Sequence, residues 1–118
     1  MDACCARYHT GEAAPTALAL MRARYAAYVR GEIDYLVRTH DASTRASLDV
    51  RAIRKWSKTT MWLGLEIVAT EAGGPDDDAG IVEFIARGVT TGKPFAQHER
   101  SRFRRVDGAW FYAGGEVR

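Results

Sequence analysis

The sequence predicts an α+β fold, with three helices packed on one face of a curved antiparallel sheet of about four strands. Two observations carry this. Helical periodicity is confined to the first half of the chain, and residues 60–116 read as four long segments of strand character separated by hairpin turns. Helices first and a long-stranded meander after them place the helices on a single sheet face. If such a sheet curls, it encloses a cone-shaped pocket.

Residues 1–15 show no periodicity, are rich in Ala and Gly, and read as a loosely held arm. Pro15-Thr16 opens the first helix, with Thr16 as N-cap, and Gly31 at the C′ position ends it. Leu18, Met21, Tyr25 and Val29 recur at helical spacing as its apolar face, and Arg22, Arg24 and Arg30 fall elsewhere on the wheel. A second short helix, Glu32–Thr39, presents Ile33, Leu36 and Val37. His40–Thr44 is a connection, and Ser43 or Thr44 caps a third helix over about Ala46–Ser57, which buries some of Val50, Ile53 and Trp56.

The strands are expected at Thr60–Thr70, Ile81–Thr90, Lys93–Val106 and Ala109–Ala113. Gly73-Gly74-Pro75-Asp76 breaks the first pair, Thr91-Gly92 the second and Asp107-Gly108 the third. In the first strand Met61, Leu63, Leu65 and Ile67 share one face, and Trp62, Glu66 and Val68 the other. In the second, Val82, Phe84 and Ala86 compete with Ile81, Ile85 and Val89 for the core. In the third, Phe95, Gln97, Glu99, Ser101 and Phe103 alternate with Ala96, His98, Arg100, Arg102 and Arg104. The fourth carries Trp110, Phe111 and Tyr112.

The 118 residues fit one domain, long enough to bury a core. A net charge of +2 is too balanced to argue for nucleic acid or an anionic membrane. No apolar run approaches the length of a membrane span. The two cysteines, Cys4 and Cys5, are adjacent, so no disulfide framework is expected and the default compartment is a reducing cytoplasm.

Several segments together resemble the YchJ-like family of bacterial proteins. They are Leu20-Met21-Arg22-Ala23-Arg24-Tyr25-Ala26-Ala27-Tyr28, Trp62-Leu63-Gly64-Leu65-Glu66, Val82-Glu83-Phe84, His98-Glu99-Arg100-Ser101-Arg102-Phe103 and Asp107-Gly108-Ala109-Trp110-Phe111-Tyr112. The resemblance implies a nuclear transport factor 2-like (cystatin-like) cone over residues 16–118. It also implies an N-terminal SEC-C zinc motif, Cys-x-Cys-x-Ser-Gly followed by x-x-Cys-Cys, of which residues 1–15 keep only Asp2-Ala3-Cys4-Cys5. The family often shows Trp-His-Pro after the second helix, where this chain has His40-Asp41-Ala42. The resemblance brings no catalytic residue with it.

Three constellations can carry chemistry. A structural zinc site needs about four ligands. Here Cys4 and Cys5, with His9 as a conceivable third, form half of a knuckle. Two thiolates hold zinc weakly, so no cofactor is expected in this chain; zinc would require the upstream Cys-x-Cys half. The second constellation is the strand face of Gln97, Glu99 and Ser101, bracketed by Phe95 and Phe103. A carboxylate on an inward face must be paired, solvated or functional. It either anchors a ligand or acts as a general base, with Glu83, Asp34 or His40 as partners, or it forms a structural ion pair with an arginine such as Arg87. Tyr25, Trp62 and His98 complete the pocket candidates. The third is Arg100, Arg102 and Arg104, spaced about 6.6 Å apart on the opposite face. That stripe either meets phosphates or an acidic partner, or is a solvated face paired across strands to Glu66 or Glu83. Asp76-Asp77-Asp78 lacks the alternation of a calcium loop and reads as a solvated tip.

The leading expectation is a non-catalytic accessory domain that binds a protein or small ligand in or beside the cone, with homodimerisation open. One alternative is a cofactor-free isomerase or hydrolase using Glu99. Another is a nucleic-acid or ribosome-associated adaptor using the arginine stripe.

Overall fold

The computed structural model describes residues 8, 9 and 11–117. Its elements run α1 (Ala17–Arg30), α2 (Ile33–Arg38), α3 (Ala42–Arg45), α4 (Val50–Thr59), β1 (Thr60–Ala72), β2 (Ala79–Thr90), β3 (Lys93–Val106) and β4 (Ala109–Val117). The strands form one antiparallel sheet in the order β1-β2-β3-β4. This is the expected α+β cone. Among the described residues no helix is long and apolar enough to cross a membrane.

Helix α1 starts and stops where local chemistry dictates. The Thr16 hydroxyl accepts from the Ala19 amide at 3.0 Å, which satisfies one orphan N–H of the first turn. Gly31 ends the helix at φ 75°, a left-handed conformation that costs glycine little. The buried face, however, is not the one the spacing of Leu18, Tyr25 and Val29 indicated. Leu20, Met21, Ala23, Arg24 and Ala27 face the core, and Val29 is 47% exposed. Ala23 and Ala27 share the centre of the contact with Leu20 and Met21, while Leu18 and Tyr25 are only partly buried at its flank.

Helix α4 also starts later than expected. Asp49, not Ser43 or Thr44, is the cap, and its carboxylate accepts from the Ala52 amide. Residues 42–45 form a separate single turn. The Ser57 hydroxyl ties α4 to α1 by donating to the Tyr28 carbonyl at 2.7 Å.

The described part of the N-terminal arm is held, which corrects the expectation of a loose arm for those residues. Tyr8 and Ala14 are buried, Arg38 donates to the carbonyls of Tyr8 and His9, and the Trp110 indole donates to the Pro15 carbonyl.

In the sheet, Val82, Phe84 and Ala86 win the competition on β2 and pack on the helices. The two-residue turns at Thr91-Gly92 and Asp107-Gly108 have positive φ at both positions, as tight hairpins require. The β1 face assignment fails for a definite reason. Trp62 pairs with Gly88 and Gly64 with Arg87, so Leu63 is an extra residue in a bulge. Parity changes there. Trp62, Leu65 and Ile67 turn toward the helices, while Met61 and Leu63 are 66% and 62% exposed.

The outer edge of β4 is covered. Asp41 N–H donates to the Tyr112 carbonyl and Tyr112 N–H donates to the Thr39 carbonyl, so the segment after α2 pairs with that edge. This both blunts the edge and fixes the position of Tyr112.

Candidate functional site

Between the helices and the concave sheet face lies a cavity of about 110 Å³. Strand alternation on β3 aims Gln97 and Glu99 into its wall, as expected, with Ser101 directly behind them. Glu99 is 9% exposed and Ser101 fully buried. Helix α1 contributes Met21, Arg24, Tyr25 and Tyr28, α4 contributes Trp56, and the sheet adds Trp62, Phe84, Ala86 and Tyr112. Trp56 and Gln97 also border the shallow depression beside the Thr91-Gly92 turn, which marks that end as the open one.

Glu99 is held by neutral donors. Gln97 Nε2 donates to Oε1 at 3.0 Å, while Ser101 Oγ and Tyr112 Oη both donate to Oε2 at 2.7 Å. A carboxylate has about four acceptor positions. Three are filled here, which leaves one on Oε1 of a residue that lines the cavity. Among the described residues no arginine or lysine forms an ion pair with it. Arg87, the expected partner, sits on the outer face and pairs with Glu66 at 2.9 Å. Adjacent strands at that point place Arg87 opposite Ala96, one residue out of phase with the inward Gln97 and Glu99.

Two features of β4 make this arrangement possible. Phe103 pairs with Tyr112 but Arg102 pairs with Gly114, so Ala113 is a bulge. The resulting change of parity turns both Tyr112 and Gly115 toward the concave face. Gly115 stands opposite Ser101, and a β-carbon there would lie 2.2 Å from Glu99 Oε2. The carboxylate therefore lies against bare backbone. A glycine inside a strand often marks such a close approach.

Tyr112 donates to Glu99 and stays protonated. Burial first, then the charge of Glu99, push its hydroxyl well above the ordinary tyrosine range. Its ring is edge-on to Phe103 at 5.7 Å and carries the Arg24 guanidinium over its face at 4.7 Å.

Arg24 was expected only to fall off the apolar face of α1, and the structure buries it and places it in the cavity lining. Its Nη1 donates to the Leu36 carbonyl at 2.9 Å and to Thr39 Oγ1 at 2.7 Å. The charge thus serves the C-terminus of α2, where unpaired carbonyls and the helix dipole favour a cation. Burial lowers its pKa, opposed by Tyr28, Tyr112, Tyr35 and Glu99.

The aromatic residues form a second wall. Trp62 is the hub, with ring centroids 5.7 Å from Tyr25, 5.5 Å from Tyr28, 4.9 Å from Trp56 and 6.0 Å from Phe95. Three of these four contacts are near-perpendicular. Gly88 lies between Trp62 and Phe95 in the register, and a β-carbon there would press on the Phe95 ring at 3.0 Å. Trp62 Nε1 is buried with no hydrogen-bond partner.

The remaining candidates lie elsewhere. Glu83 and His98 are on the outer face, 2.6 Å apart, and Glu83 also holds Arg100. These partners, His98 first, keep the Glu83 carboxyl below its usual range. His40 Nε2 is on Thr44, and its ring lies 5.6 Å from that of Tyr112. Arg100 pairs with Glu71 and Glu83, and Arg104 with Asp41 at 2.8 Å, so two guanidiniums of the stripe are committed to carboxylates. His9 Nε2 is 2.8 Å from the Ala23 carbonyl, and its ring lies against that of Tyr35, tilted by 56° with centroids 4.7 Å apart. Cys4 and Cys5 lie outside the described residues. Among the described residues no group of three His, Cys, Asp or Glu side chains is arranged to hold a metal.

Sequence reasoning missed Tyr112, Arg24 and Gly115. Gly114-Gly115 was the available signal for the last, and the Trp110-Phe111-Tyr112 run in phase with Phe103 for the first.

Comparison with known proteins bears on the whole chain. The family model described as "YchJ, middle NTF2-like domain" matches residues 16–115. A UPF0225 protein of Geobacter sulfurreducens is 48% identical over 113 residues, covering 95% of this chain and 70% of that protein. A UPF0225 protein of Chromobacterium violaceum is 46% identical over 119 residues, covering 99% of this chain and 87% of that protein. The solution structure of a SEC-C motif containing protein from Rhodopseudomonas palustris superposes with a TM-score of 0.86 at 36% identity, over 98% of this chain and 89% of that one. A crystal structure of a SEC-C motif containing protein from Psychrobacter arcticus gives 0.81 at 34% identity, over 98% and 71%. The expected cone and its expected relatives therefore agree, and the chain belongs to the YchJ-like (UPF0225) family through its nuclear transport factor 2-like domain.

Proposed function

We propose that this domain binds a small ligand in the cone without transforming it, and that Glu99 is the polar anchor. The observation that carries this reading is the state of the Glu99 carboxylate. It is buried, aimed into the cavity, free of an arginine clamp among the described residues, and still has one acceptor position on Oε1. A structural ion pair would use that position internally. A general base needs room for the proton it takes up and a neighbour that adjusts to the change. Here Oε2 already receives two hydroxyl protons, and Tyr112 is held protonated, so the network stabilises a fixed acceptor more than a proton carrier. The pairing of Arg100 and Arg104 on the outer face weakens the adaptor alternative, because their charge is already neutralised locally.

The test is a survey of small polar fragments against isotope-labelled protein. Binding in the cone moves the indole N–H signals of Trp56 and Trp62 and the amides around Glu99, and Glu99→Gln removes the response. Fragments that move only the amides of Arg100, Arg102 and Arg104 would count against it.

A further inference from the structure

The same cavity has a chemistry more specific than "small and polar". The inference below rests on the ligand-binding reading above.

Four rings from three elements, Tyr25 and Tyr28 on α1, Trp56 on α4 and Trp62 on β1, line one cavity wall, and Glu99 lines another. Rings set edge-to-face enclose space with π faces turned in several directions. Trp56 meets Trp62 at 71° and Tyr28 at 73°, and Tyr25 meets Trp62 at 81°. Such faces carry negative electrostatic potential and attract cations, tryptophan most strongly. Glu99 adds a full negative charge with one acceptor position unused. Arg24 lines the cavity too, but its Nη1 is bonded to the end of α2 and its guanidinium is stacked on Tyr112.

We infer that the cone takes the head of a methylated ammonium cation, seated among Tyr25, Tyr28, Trp56 and Trp62 and balanced by Glu99. Two points separate this from other cations. A primary ammonium brings three N–H donors that each need an acceptor. The ring faces supply none, so each N–H would have to reach one of the few polar acceptors around the cavity, on Glu99, Gln97 and the Tyr25 and Tyr28 hydroxyls. A methylated nitrogen has no such requirement, and its methyl groups gain from burial against rings. Size agrees. An apolar cavity of about 150 Å³ accommodates the six carbons of benzene. The about 110 Å³ here fits a group of roughly four or five heavy atoms, the size of a trimethylammonium head.

The experiment compares choline with 3,3-dimethyl-1-butanol, which has the same shape and no charge, by titration into the full chain. Choline is expected to bind at least about tenfold tighter than the neutral isostere. Glu99→Gln should reduce that preference to less than about threefold, and Trp62→Leu should weaken choline by about tenfold. Should Trp62→Leu fail to fold, Trp56→Leu serves, since that ring is only partly buried. Equal or tighter binding of the neutral compound overturns the cation assignment and leaves the ligand-binding reading standing. Choline binding that is indifferent to both variants also overturns it, because the site would lie elsewhere. If neither compound binds, the inference fails, and the fragment survey then decides whether the broader reading fails with it.

Discussion

Replacing Glu99 by glutamine changes one atom and separates two accounts of this buried carboxylate. In the structure its oxygens accept three hydrogen bonds, from Gln97, Ser101 and Tyr112. Bonds to a charged acceptor are worth roughly 1.5–3 kcal/mol each and neutral ones roughly 0.5–1.5, so the exchange costs about 1 kcal/mol per bond, or about 3 kcal/mol in total. Against this stands the cost of burying an ion, several kcal/mol after relaxation, which the neutral amide avoids. Geometry permits the exchange. The introduced carbonyl oxygen can keep Ser101 and Tyr112, and Gln97 needs only to turn its amide to accept the new N–H. The net change should lie within about 1 kcal/mol, or about 4 °C in Tm for a domain of this size. An arginine-clamped carboxylate behaves differently, because its removal strands a buried guanidinium at about 3–5 kcal/mol. Calorimetry of the parent and Glu99→Gln at pH 7 is the assay. A loss of more than about 10 °C would refute the reasoning and imply a charge partner for Glu99.

Three further outcomes are expected. The folded protein holds the Tyr112 proton to higher pH than the unfolded chain does, so above the ordinary tyrosine range, near pH 10, the unfolded state loses its proton first. Stability is present below that range and falls as pH rises through it; Tyr112→Phe should flatten the decline in denaturation curves between about pH 9 and 11, and an unchanged slope would contradict the assignment. Gly115→Ala should destabilise by about 1–3 kcal/mol through the collision with Glu99 Oε2, and the cost should shrink when Glu99→Ala is added; strictly additive costs would show that the contact does not matter. Chelators should leave Tm unchanged, because the core of Leu20, Leu36, Val82, Phe103 and Trp110 contains no metal ligand; a large drop would mean that the arm's cysteines contribute a folded zinc site.

Much of the fold was legible because it rests on local rules. Thr16 and Gly31 bound α1 by capping chemistry. Thr91-Gly92 and Asp107-Gly108 demand tight turns, and β3 matches its predicted span, with alternation that survives pairing to β2 without a break. The errors share a cause. Strand parity is readable only until a bulge occurs, and bulges at Leu63 and Ala113 depend on pairing with a neighbour strand. The first sent Trp62 inward in place of Leu63. The second put Gly115 on the same concave face as Tyr112, although Gly115 lies beyond Ala113, where β4 was expected to stop. The burial of Arg24 was not legible because its compensation comes from α2, which is local in space but not in sequence. The inward position of Glu99 was therefore readable, but its partners were not, since register and bulges choose them.

A structure of the domain with a bound ligand from the fragment survey tests the central claim most directly. The account predicts the ligand in the cone, with its polar or charged group within hydrogen-bonding or ion-pairing reach of Glu99 Oε1 and its apolar part against Trp62 and Tyr28. A ligand bound instead along Arg100 and Arg102 on the outer face, with the cone unchanged, would contradict it.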